Sequence, residues 1–133
     1  IPIILIFKIM AKVLKLGITN KPGNRISDVN SIEAIAGKGI FGDRHFSENK
    51  NSREQVTLIE SENIDKYNFN SNTKIPYLDF RRNIVTKGIK LNELVGKEIL
   101  IGEVRIKGHR LCDPCKYLQD KLKQKNLFKI IFT

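Results

Sequence analysis

The chain has few cysteines and no long apolar run. Its 133 residues include only two cysteines, at positions 112 and 115. Two cysteines three positions apart do not make the disulfide framework of a small secreted domain, and in a reducing compartment this spacing is typical of redox, metal or catalytic sites. Residues 1–9 are strongly apolar but far shorter than the ~20 residues of a membrane-spanning helix. A signal peptide requires basic residues before its apolar run, and none precedes residues 1–9 in this sequence. We therefore expect a cytoplasmic protein with no membrane attachment.

The sequence also lacks internal repeats, a domain linker and any Ser/His/Asp or paired-carboxylate arrangement. Its length suits one domain with a single core. Met10 resembles a natural start, so residues 1–9 are expected to be an extension outside the domain. Residues 10–133 are then the single domain.

What the sequence has in excess is positive charge, with a formal net charge of +10. The lysines are spread from Lys8 to Lys129 without a dense cluster. This balance suits an anionic partner: nucleic acid, a phosphorylated cofactor or a membrane surface. A solvated lysine-rich surface explains it equally well.

Apolar patterning predicts many short strands and few helices. A short helix is expected to begin at a Ser61 cap, with Glu62 and Asp65 in its first turn, and residues 68–73 should form a loop. No room is visible for the amphipathic helices of a βαβ series. The predicted fold is therefore mainly β, a closed or partly open mixed β-barrel with a few short helices. Its strands are expected at residues 12–18, 29–36, 55–60, 80–86, 98–102 and 104–107, with the last two joined as a hairpin through Gly102 and Glu103.

Both cysteines lie where a predicted strand ends and an amphipathic helix, residues 115–123, is expected to begin. A thiol in the first turn of a helix lies near unpaired N–H groups and the positive end of the helix dipole. Lys107, Arg110 and Lys116 add positive charge nearby in sequence. These conditions favour thiolate, the nucleophilic and metal-binding form of cysteine. The alternative is a pair of small apolar side chains in a core turn.

The run Gly37-x-Gly39-x-x-Gly42 fits the spacing of a dinucleotide-binding fingerprint, with Glu60 at a suitable distance. The context fails, because residues 43–54 offer Phe46 as their only large apolar side chain and cannot form the required helix. The glycines are still expected to form a loop with N–H groups open to an anionic ligand. A tight turn without a ligand is the alternative.

Two further groups of residues are candidate sites. A four-ligand zinc site could combine His45, His109, Cys112 and Cys115, although the spacing matches no common zinc finger. In the predicted strand 80–86, alternation would turn Arg81 and Asn83 to one face and Arg82 to the other. Arg81 and Asn83 could then grip phosphate or pterin-like edges. An edge-strand salt bridge is the simpler alternative.

Taken in order, these motifs resemble the MOSC domain, which is named for the C-terminal domain of molybdenum-cofactor sulfurases. The resemblance runs from Met10 to about Lys123 and is strongest to small single-domain bacterial members. It implies a barrel like that of pyruvate kinase. It rests on Gly37–His45 with its Gly-Asp-Arg-His end, the strand at 55–60, Arg81-Arg82-Asn83-Ile84-Val85, Leu94-Val95-Gly96, and Cys112-Asp113-Pro114-Cys115.

The resemblance implies that Cys115 is the family's hallmark cysteine. In some members this cysteine carries sulfur as a persulfide, received from a pyridoxal-phosphate cysteine desulfurase. In others it ligates the molybdenum of a bound pterin cofactor, and the enzyme reduces N-hydroxylated compounds with the help of an electron-donor protein. Cys112 is a secondary redox candidate. The implied cofactor-binding residues are Arg81, Asn83, Gly42, Asp43, His45 and Arg110.

The C-terminal segment departs from the family pattern. Residues 124–133 contain no glycine, whereas family members continue into a glycine-rich turn and a closing strand. We therefore expect the domain to be truncated at this end, and an inactive, degenerate domain is one alternative. Another is a basic β-barrel that binds nucleic acid. That alternative requires aromatic residues interleaved with basic ones on one face, whereas Phe46, Tyr67, Phe69, Tyr77 and Phe80 are scattered through turns.

Overall fold

The computed structural model describes residues 11–21, 23–48 and 55–109. The predicted first strand and the predicted C-terminal hairpin are confirmed. The elements in chain order are β1 Lys12–Ile18, β2 Ser27–Val29, β3 Ala34–Ile35, β4 Gly39–Ile40, β5 Leu58–Glu60, helix α1 Ser61–Ser71, a 3-10 turn Tyr77–Phe80, β6 Ile84–Lys87, a second 3-10 turn Leu91–Leu94, β7 Glu98–Ile101 and β8 Val104–Lys107.

The main sheet has four strands in the order β2-β1-β6-β5. Strand β1 is central and pairs antiparallel with both β2 and β6, with a register shift between Val13 and Lys15 on the β6 side. Strands β5 and β6 run parallel, with Ile59 opposite Val85. The remaining described strands form two hairpins, β3–β4 and β7–β8. The described fold is therefore mainly β and mixed in strand direction.

Helix α1 connects the parallel strands β5 and β6. A short helix was predicted here, but a helical connection between parallel strands was not. The chain leaves β5 directly into the 11-residue helix α1 and returns through the Tyr77–Phe80 turn to β6. The expectation that no such unit fits the chain was wrong at this one place. The reason is burial: Ile64 and Tyr67 of α1 are 0% and 1% exposed, and this tertiary packing stabilises a helix whose polar sequence gives little amphipathic signal.

Both predicted ends of α1 were misplaced. Glu60 is the N-terminal cap, Ser61 is the first helical residue, and no side chain caps the helix start. At the other end, residues 68–71 are helical rather than loop, and Asn72 ends the helix in the left-handed conformation with φ 53°. Asn68 then fastens the following chain, because its side chain accepts from Ile75 N at 3.1 Å and donates to Ile75 O at 3.0 Å. Asn72 thus ends the helix, and Asn68 bonds the chain that follows it. Asparagine favours both roles as well as loops.

Three predicted strands are shorter than expected. The 29–36 stretch divides into the end of β2 and the two-residue β3, and the 55–60 stretch is extended in the sheet only as β5. The 80–86 stretch becomes strand only from Ile84. Its first residues belong to a 3-10 turn that ends with Arg81 at φ 62°, and a residue in the left-handed region cannot continue a strand. The predicted alternation of Arg81, Arg82 and Asn83 was therefore wrong.

The core lies between α1 and the β5–β6 edge of the sheet. Tyr67 and Phe80 meet edge to face with ring centroids 6.3 Å apart, a favourable aromatic geometry. The buried cluster consists of Ile59, Ile64, Tyr67, Phe80 and Val85, with Ile75, Tyr77 and Leu78 packed against it. In residues 11–21, 23–48 and 55–109 no sheet closes on itself, so the barrel stays a prediction.

Candidate functional site

The segment Gly42–His45 forms a tight turn that Asp43 holds together. The Asp43 side chain is buried, and its Oδ1 accepts from Thr19 N at 3.1 Å. Its Oδ2 accepts from His45 N at 3.1 Å, and Arg44 N donates to Thr19 O at 2.6 Å. Both carboxylate oxygens of Asp43 therefore accept hydrogen bonds from backbone N–H groups, and the bond to Thr19 N attaches the turn to the end of β1.

The glycine run preceding this turn has steric reasons of its own. Gly39 has φ 117°, and a Cβ at this position would lie 2.9 Å from the Gln55 carbonyl oxygen. Gly42 has φ 86°, a conformation that glycine adopts without strain. No helix follows Gly42 as far as Glu48, where this part of the described chain ends. The run is therefore a closely packed turn and not a dinucleotide-binding fingerprint.

Asn83 is a buried junction between three chain segments. Its Oδ1 accepts from both Thr57 N and Thr57 Oγ1 at 3.1 Å, and its Nδ2 donates to Gly17 O at 3.0 Å. Its own N–H donates to Thr57 Oγ1 at 3.0 Å. A ligand could contact this amide only by replacing one of these hydrogen bonds.

Arg81 lies beside Asn83 but makes a different use of its side chain. The residue is 5% exposed and has φ 62°, a conformation that costs a non-glycine residue about 1–2 kcal/mol. Its Nη1 donates to Asn24 O at 2.6 Å. Within the described chain the rest of the guanidinium group has no hydrogen-bond partner, so the group keeps donors for a ligand.

The carbonyl oxygen of Arg81 is where two further arginines meet. Arg44 Nη2 donates to it at 3.3 Å, and Arg82 Nη1 approaches it at 3.4 Å. Arg82 Nη1 is also 3.4 Å from Phe80 O. Because both cationic groups approach one oxygen, they lie close to each other. Two unit charges about 6 Å apart repel by roughly 3 kcal/mol at an effective dielectric constant of about 20.

Arg44 also orients its neighbour in the turn. Arg44 Nε donates to His45 Nε2 at 3.2 Å, so a neutral His45 carries its proton on Nδ1. A single side chain thus connects the Gly42–His45 turn to the Arg81 carbonyl. The predicted residues Gly42, Asp43, His45 and Arg81 are brought into one neighbourhood by this link.

The electrostatics of the neighbourhood are unusual. The ion pairs of the described residues lie at the surface and join Lys15 to Asp28, Lys38 to Glu48 and Arg105 to Glu98. Arg81 and Arg82 are 5% and 8% exposed, and no carboxylate of the described chain pairs with either. A buried charge is costly unless it is paired and hydrogen-bonded. These two cations therefore favour an anion.

A second polar cluster lies at the start of α1. Glu60 Oε2 accepts from Leu91 N at 3.2 Å, and Glu62 Oε2 accepts from Gly88 N at 2.7 Å. Burial raises the pKa of Glu60, and the nearby charges of Glu62 and Glu93 add to this effect against the Leu91 hydrogen bond. Partial burial also acts to raise the pKa of Glu62, but hydrogen bonds from Gly88, its own N–H and Ser61 lower it below its ordinary value. These carboxylates fasten the 88–91 turn to the helix.

Several predicted site residues lie outside the described residues: Arg110, Cys112 and Cys115. The zinc hypothesis depends on the same cysteines, and within the described ranges no group of three or more His, Cys, Asp or Glu residues is placed to hold a metal ion. Arg44 and Arg82 were not predicted from the sequence as ligand contacts. Each is adjacent in sequence to a predicted site residue, and this was the only signal that could have indicated them. Nothing in the sequence pattern predicted that both side chains approach one carbonyl oxygen.

Comparison with known protein families identifies the family of this chain. The sequence profile of the MOSC domain matches residues 39–131, which is well over half of the 133 residues. The chain belongs to the MOSC domain family. The resemblance inferred from the glycine run, the arginine segment and the cysteine pair is thereby confirmed. The MOSC family is linked to molybdenum-cofactor binding or sulfur handling.

The fold agrees with a solved structure. The crystal structure of the YuaD protein from Bacillus subtilis is similar to this MOSC chain with a TM-score of 0.70 and 17% sequence identity, covering 91% of this chain and 81% of that one. At this identity the likeness supports the mainly β fold alone. No curated protein matches the sequence. Among the described residues, no helix has both the length and the apolar character that crossing a membrane needs.

Proposed function

We propose that this MOSC domain binds the molybdenum cofactor, with Cys115 as the sulfur ligand and Arg81 as a contact to the anionic part of the pterin. The observation that carries the proposal is the burial of Arg81 and Arg82 without a carboxylate partner in the described chain. A thiol that only carries sulfur has no need of buried cations, whereas an anionic cofactor does.

The described residues fit such a group in two respects. Within the described residues, Nη1 is the one donor of the Arg81 side chain that bonds a protein acceptor, Asn24 O, and the remaining donors of its planar group are available to a ligand. Arg44, fixed by His45 Nε2 and the Arg81 carbonyl, brings a second guanidinium group to the same neighbourhood. Guanidinium groups suit phosphate and other planar or tetrahedral anions because they offer paired N–H donors.

The roles of the chain's own residues follow from these contacts. Asp43 holds the Gly42–His45 turn against β1, so that Arg44 and His45 keep their positions. Arg81 neutralises and orients the anionic ligand. Cys115 supplies a thiolate, which is the metal-binding form of cysteine and a soft ligand. When bound, the molybdenum cofactor supplies two-electron redox chemistry, which requires an electron-donor protein and acts on N-hydroxylated compounds.

Sulfur carriage is the second candidate and is favoured by the Cys112-x-x-Cys115 pair. In this version Cys115 receives sulfur as a persulfide from a pyridoxal-phosphate cysteine desulfurase, and Cys112 is a redox partner. Pyridoxal phosphate then belongs to the desulfurase. Whether it binds the cofactor or carries sulfur, the protein is proposed to act in the cytoplasm. A barrel closed by the rest of the chain would enclose the site.

The nucleic-acid alternative is the weaker one. Tyr67 and Phe80 are 1% and 0% exposed in the core, so neither can stack on a base. Tyr77 donates to Asp65 Oδ1 at 2.8 Å. Of the scattered aromatic residues, Phe69 is the most exposed, at 87%. Phe41, outside that set, is 62% exposed and meets Phe46 edge to face. Two exposed rings on separate chain segments are a poor platform for a single strand.

The test is metal and sulfur analysis of the full chain, purified from a host that makes the molybdenum cofactor. Elemental analysis should find molybdenum near one atom per chain in the wild type and in Cys112→Ala, and little in Cys115→Ala. A Cys115 persulfide found by intact mass spectrometry, with no molybdenum, would replace the first candidate by the second. Neither molybdenum nor persulfide in the wild type would refute both.

A further inference from the structure

We propose that residues 91–108 form an arm that rotates as one unit about a hinge at residues 88–90 and carries the start of the cysteine segment with it. The arm consists of the second 3-10 turn, β7 and β8. The rotation is inferred from the structure alone. Its role rests on the proposed function, because the rotation brings the contributions of Cys115 and Arg81 together at one ligand.

The first observation is an abrupt change in burial at the end of β6. Residues 80–86 are all buried, whereas no residue from Lys87 to His109 is buried. Even the apolar side chains on one face of the hairpin are only half-buried: Ile99, Ile101, Val104 and Ile106. The arm therefore makes only shallow contact with the rest of the protein. Segments with few buried apolar contacts open at a lower free energy than the core does.

The second observation is how few hydrogen bonds join the arm to the rest of the protein. Within residues 11–21, 23–48 and 55–109, one hydrogen bond connects the two, from Leu91 N to Glu60 Oε2 at 3.2 Å. No ion pair of these residues does so. The hinge itself is held by a further bond, from Gly88 N to Glu62 Oε2 at 2.7 Å. Two carboxylates at the start of α1, Glu60 and Glu62, are therefore the latch of the arm.

Both the hinge and the latch allow the rotation. Gly88 has φ 84°, and a glycine absorbs changes in backbone angle without the steric cost of a side chain. The latch is of moderate strength. Burial raises the pKa of Glu60 against the hydrogen bond from Leu91, so the ionised carboxylate is not the form that folding favours.

The cysteine segment leaves from the arm and not from the main sheet. Gly108 N donates to Lys97 O at 2.9 Å, and Gly96 N donates to Gly108 O at 2.7 Å. A Cβ at Gly108 would clash with the Leu94 carbonyl oxygen, so the chain is closely packed at this point. Because Gly108 is fixed within the arm, a rotation of the arm displaces the chain that follows it. Cys115 lies seven positions further along.

An arm of this kind gives the proposed site two states. Arg81 belongs to the segment just before β6, where every residue is buried, whereas the chain that leads to Cys115 is attached to the arm. Opening of the arm separates these two contributions and admits a ligand, and closing brings them together around it. Gating by a hinged segment is common at sites that must enclose a ligand.

The experiment measures the distance distribution between two spin labels by double electron–electron resonance. The labels are attached at Glu103→Cys in the β7–β8 turn and at Lys66→Cys on α1, both exposed positions, in the full chain carrying Cys112→Ala and Cys115→Ala. This is the arm pair. The control pair, Lys66→Cys with Lys12→Cys, lies outside the arm. We expect a major and a minor distance for the arm pair and a single distance for the control pair.

Latch variants then test the cause of the second distance. Glu60→Ala removes the acceptor of Leu91 N and should raise the minor population about fivefold, whereas Glu60→Gln keeps an acceptor and should not raise it. If Glu60→Ala does not fold, the exposed position decides, with Glu62→Ala compared with Glu62→Gln. Unchanged distances for the arm pair in the alanine variants would overturn the proposal. A change that the control pair shares, or a loss of amide protection in β7 and β8, would also overturn it, because the protein would be unfolding rather than rotating its arm.

Failure of this inference differs from failure of the proposed function. The labelled chain lacks both native cysteines, so its distances do not depend on molybdenum or persulfide. Rotation of the arm in a protein whose wild type holds neither would refute the proposed function and leave the arm standing. Molybdenum that depends on Cys115, in a protein whose arm pair keeps one distance in every latch variant, would do the reverse.

Discussion

Gly17 and Asn83 are joined by two hydrogen bonds in opposite directions. Gly17 N donates to Asn83 O at 2.8 Å, and Asn83 Nδ2 donates to Gly17 O at 3.0 Å. The pair ties the central strand β1 to the chain just before β6. Since Arg81 and Arg82 immediately precede Asn83, the same pair also fixes where the buried arginines lie.

Asn83→Ala should therefore destabilise the fold by about 2–4 kcal/mol, because it leaves the buried Gly17 O and Thr57 N without their partners. The free energy of unfolding from urea denaturation measures this. Asn92→Ala is the matched control, since Asn92 is exposed in the second 3-10 turn, and it should change stability by less than about 0.5 kcal/mol. Equal effects of the two substitutions would contradict the structural role of Asn83.

Asp43 is expected to act mainly through the backbone. Asp43→Asn replaces one accepting oxygen by an N–H donor, so either Thr19 N or His45 N loses its partner. We expect a loss of about 1–3 kcal/mol in the free energy of unfolding. Asp28→Asn removes only an exposed ion pair with Lys15 and should cost less than about 1 kcal/mol. If Asp43→Asn were as mild as Asp28→Asn, the turn would not depend on this carboxylate.

How much of this was visible in the sequence depends on the kind of signal. The first strand and the β7–β8 hairpin followed from apolar alternation and a glycine turn, which act locally. The shape of residues 80–83 did not, because Arg81 has φ 62°, and a left-handed conformation is uncommon for a residue other than glycine. Arg81 was predicted as a site residue from its charge within a predicted strand and from family resemblance. The convergence of Arg44 and Arg82 depends on a contact between residues 37 or more positions apart. No pattern in a single sequence reports such a contact.

The helix is a second case. Its polar, asparagine-rich end favoured a loop at residues 68–73, since asparagine is common in turns. Burial of Ile64 and Tyr67 against Phe80 outweighed that preference. Asn72 ends the helix in the left-handed conformation. At this position the preference of asparagine for left-handed backbone agrees with the fold.

Gly39→Ala should be more damaging than an equivalent change at a glycine in open space. A Cβ at Gly39 would lie 2.9 Å from the Gln55 carbonyl, whereas at Gly102, with φ 59°, nothing lies within 4 Å. We expect a loss of about 2–4 kcal/mol for Gly39→Ala and of about 1 kcal/mol for Gly102→Ala, from backbone strain alone. Thermal and urea unfolding of both variants measure the difference, and equal losses would show that the Gly39 turn is not closely packed.

Glu60 should give stability a dependence on pH of known sign. Because burial raises its pKa in the folded state, folding favours the protonated form. This contribution is fully present below about pH 4.3, the ordinary pKa of glutamate, and is lost as the pH rises through the folded pKa. Glu60→Gln keeps an acceptor for Leu91 N and removes the charge. At pH 7 it should therefore raise the free energy of unfolding, and the gain should shrink toward pH 4.

The control for this prediction is Glu103→Gln in the exposed turn between β7 and β8. Urea unfolding of both variants at pH 4 and pH 7 gives the comparison. A loss of stability at pH 7 in Glu60→Gln, or a gain that grows toward pH 4, would show that the ionised carboxylate is the favoured form in the folded protein.

The most direct test of the whole account is whether Arg81 and Cys115 hold the same ligand. Pterin and molybdenum per chain are measured in the wild type, Cys115→Ala, Arg81→Gln and the surface control Arg105→Gln, all purified from a cofactor-producing host and checked for cooperative unfolding. The account predicts pterin and molybdenum in the wild type and Arg105→Gln, and a loss of about tenfold or more in Cys115→Ala and Arg81→Gln. A folded Arg81→Gln protein that retains both at the wild-type level would contradict it.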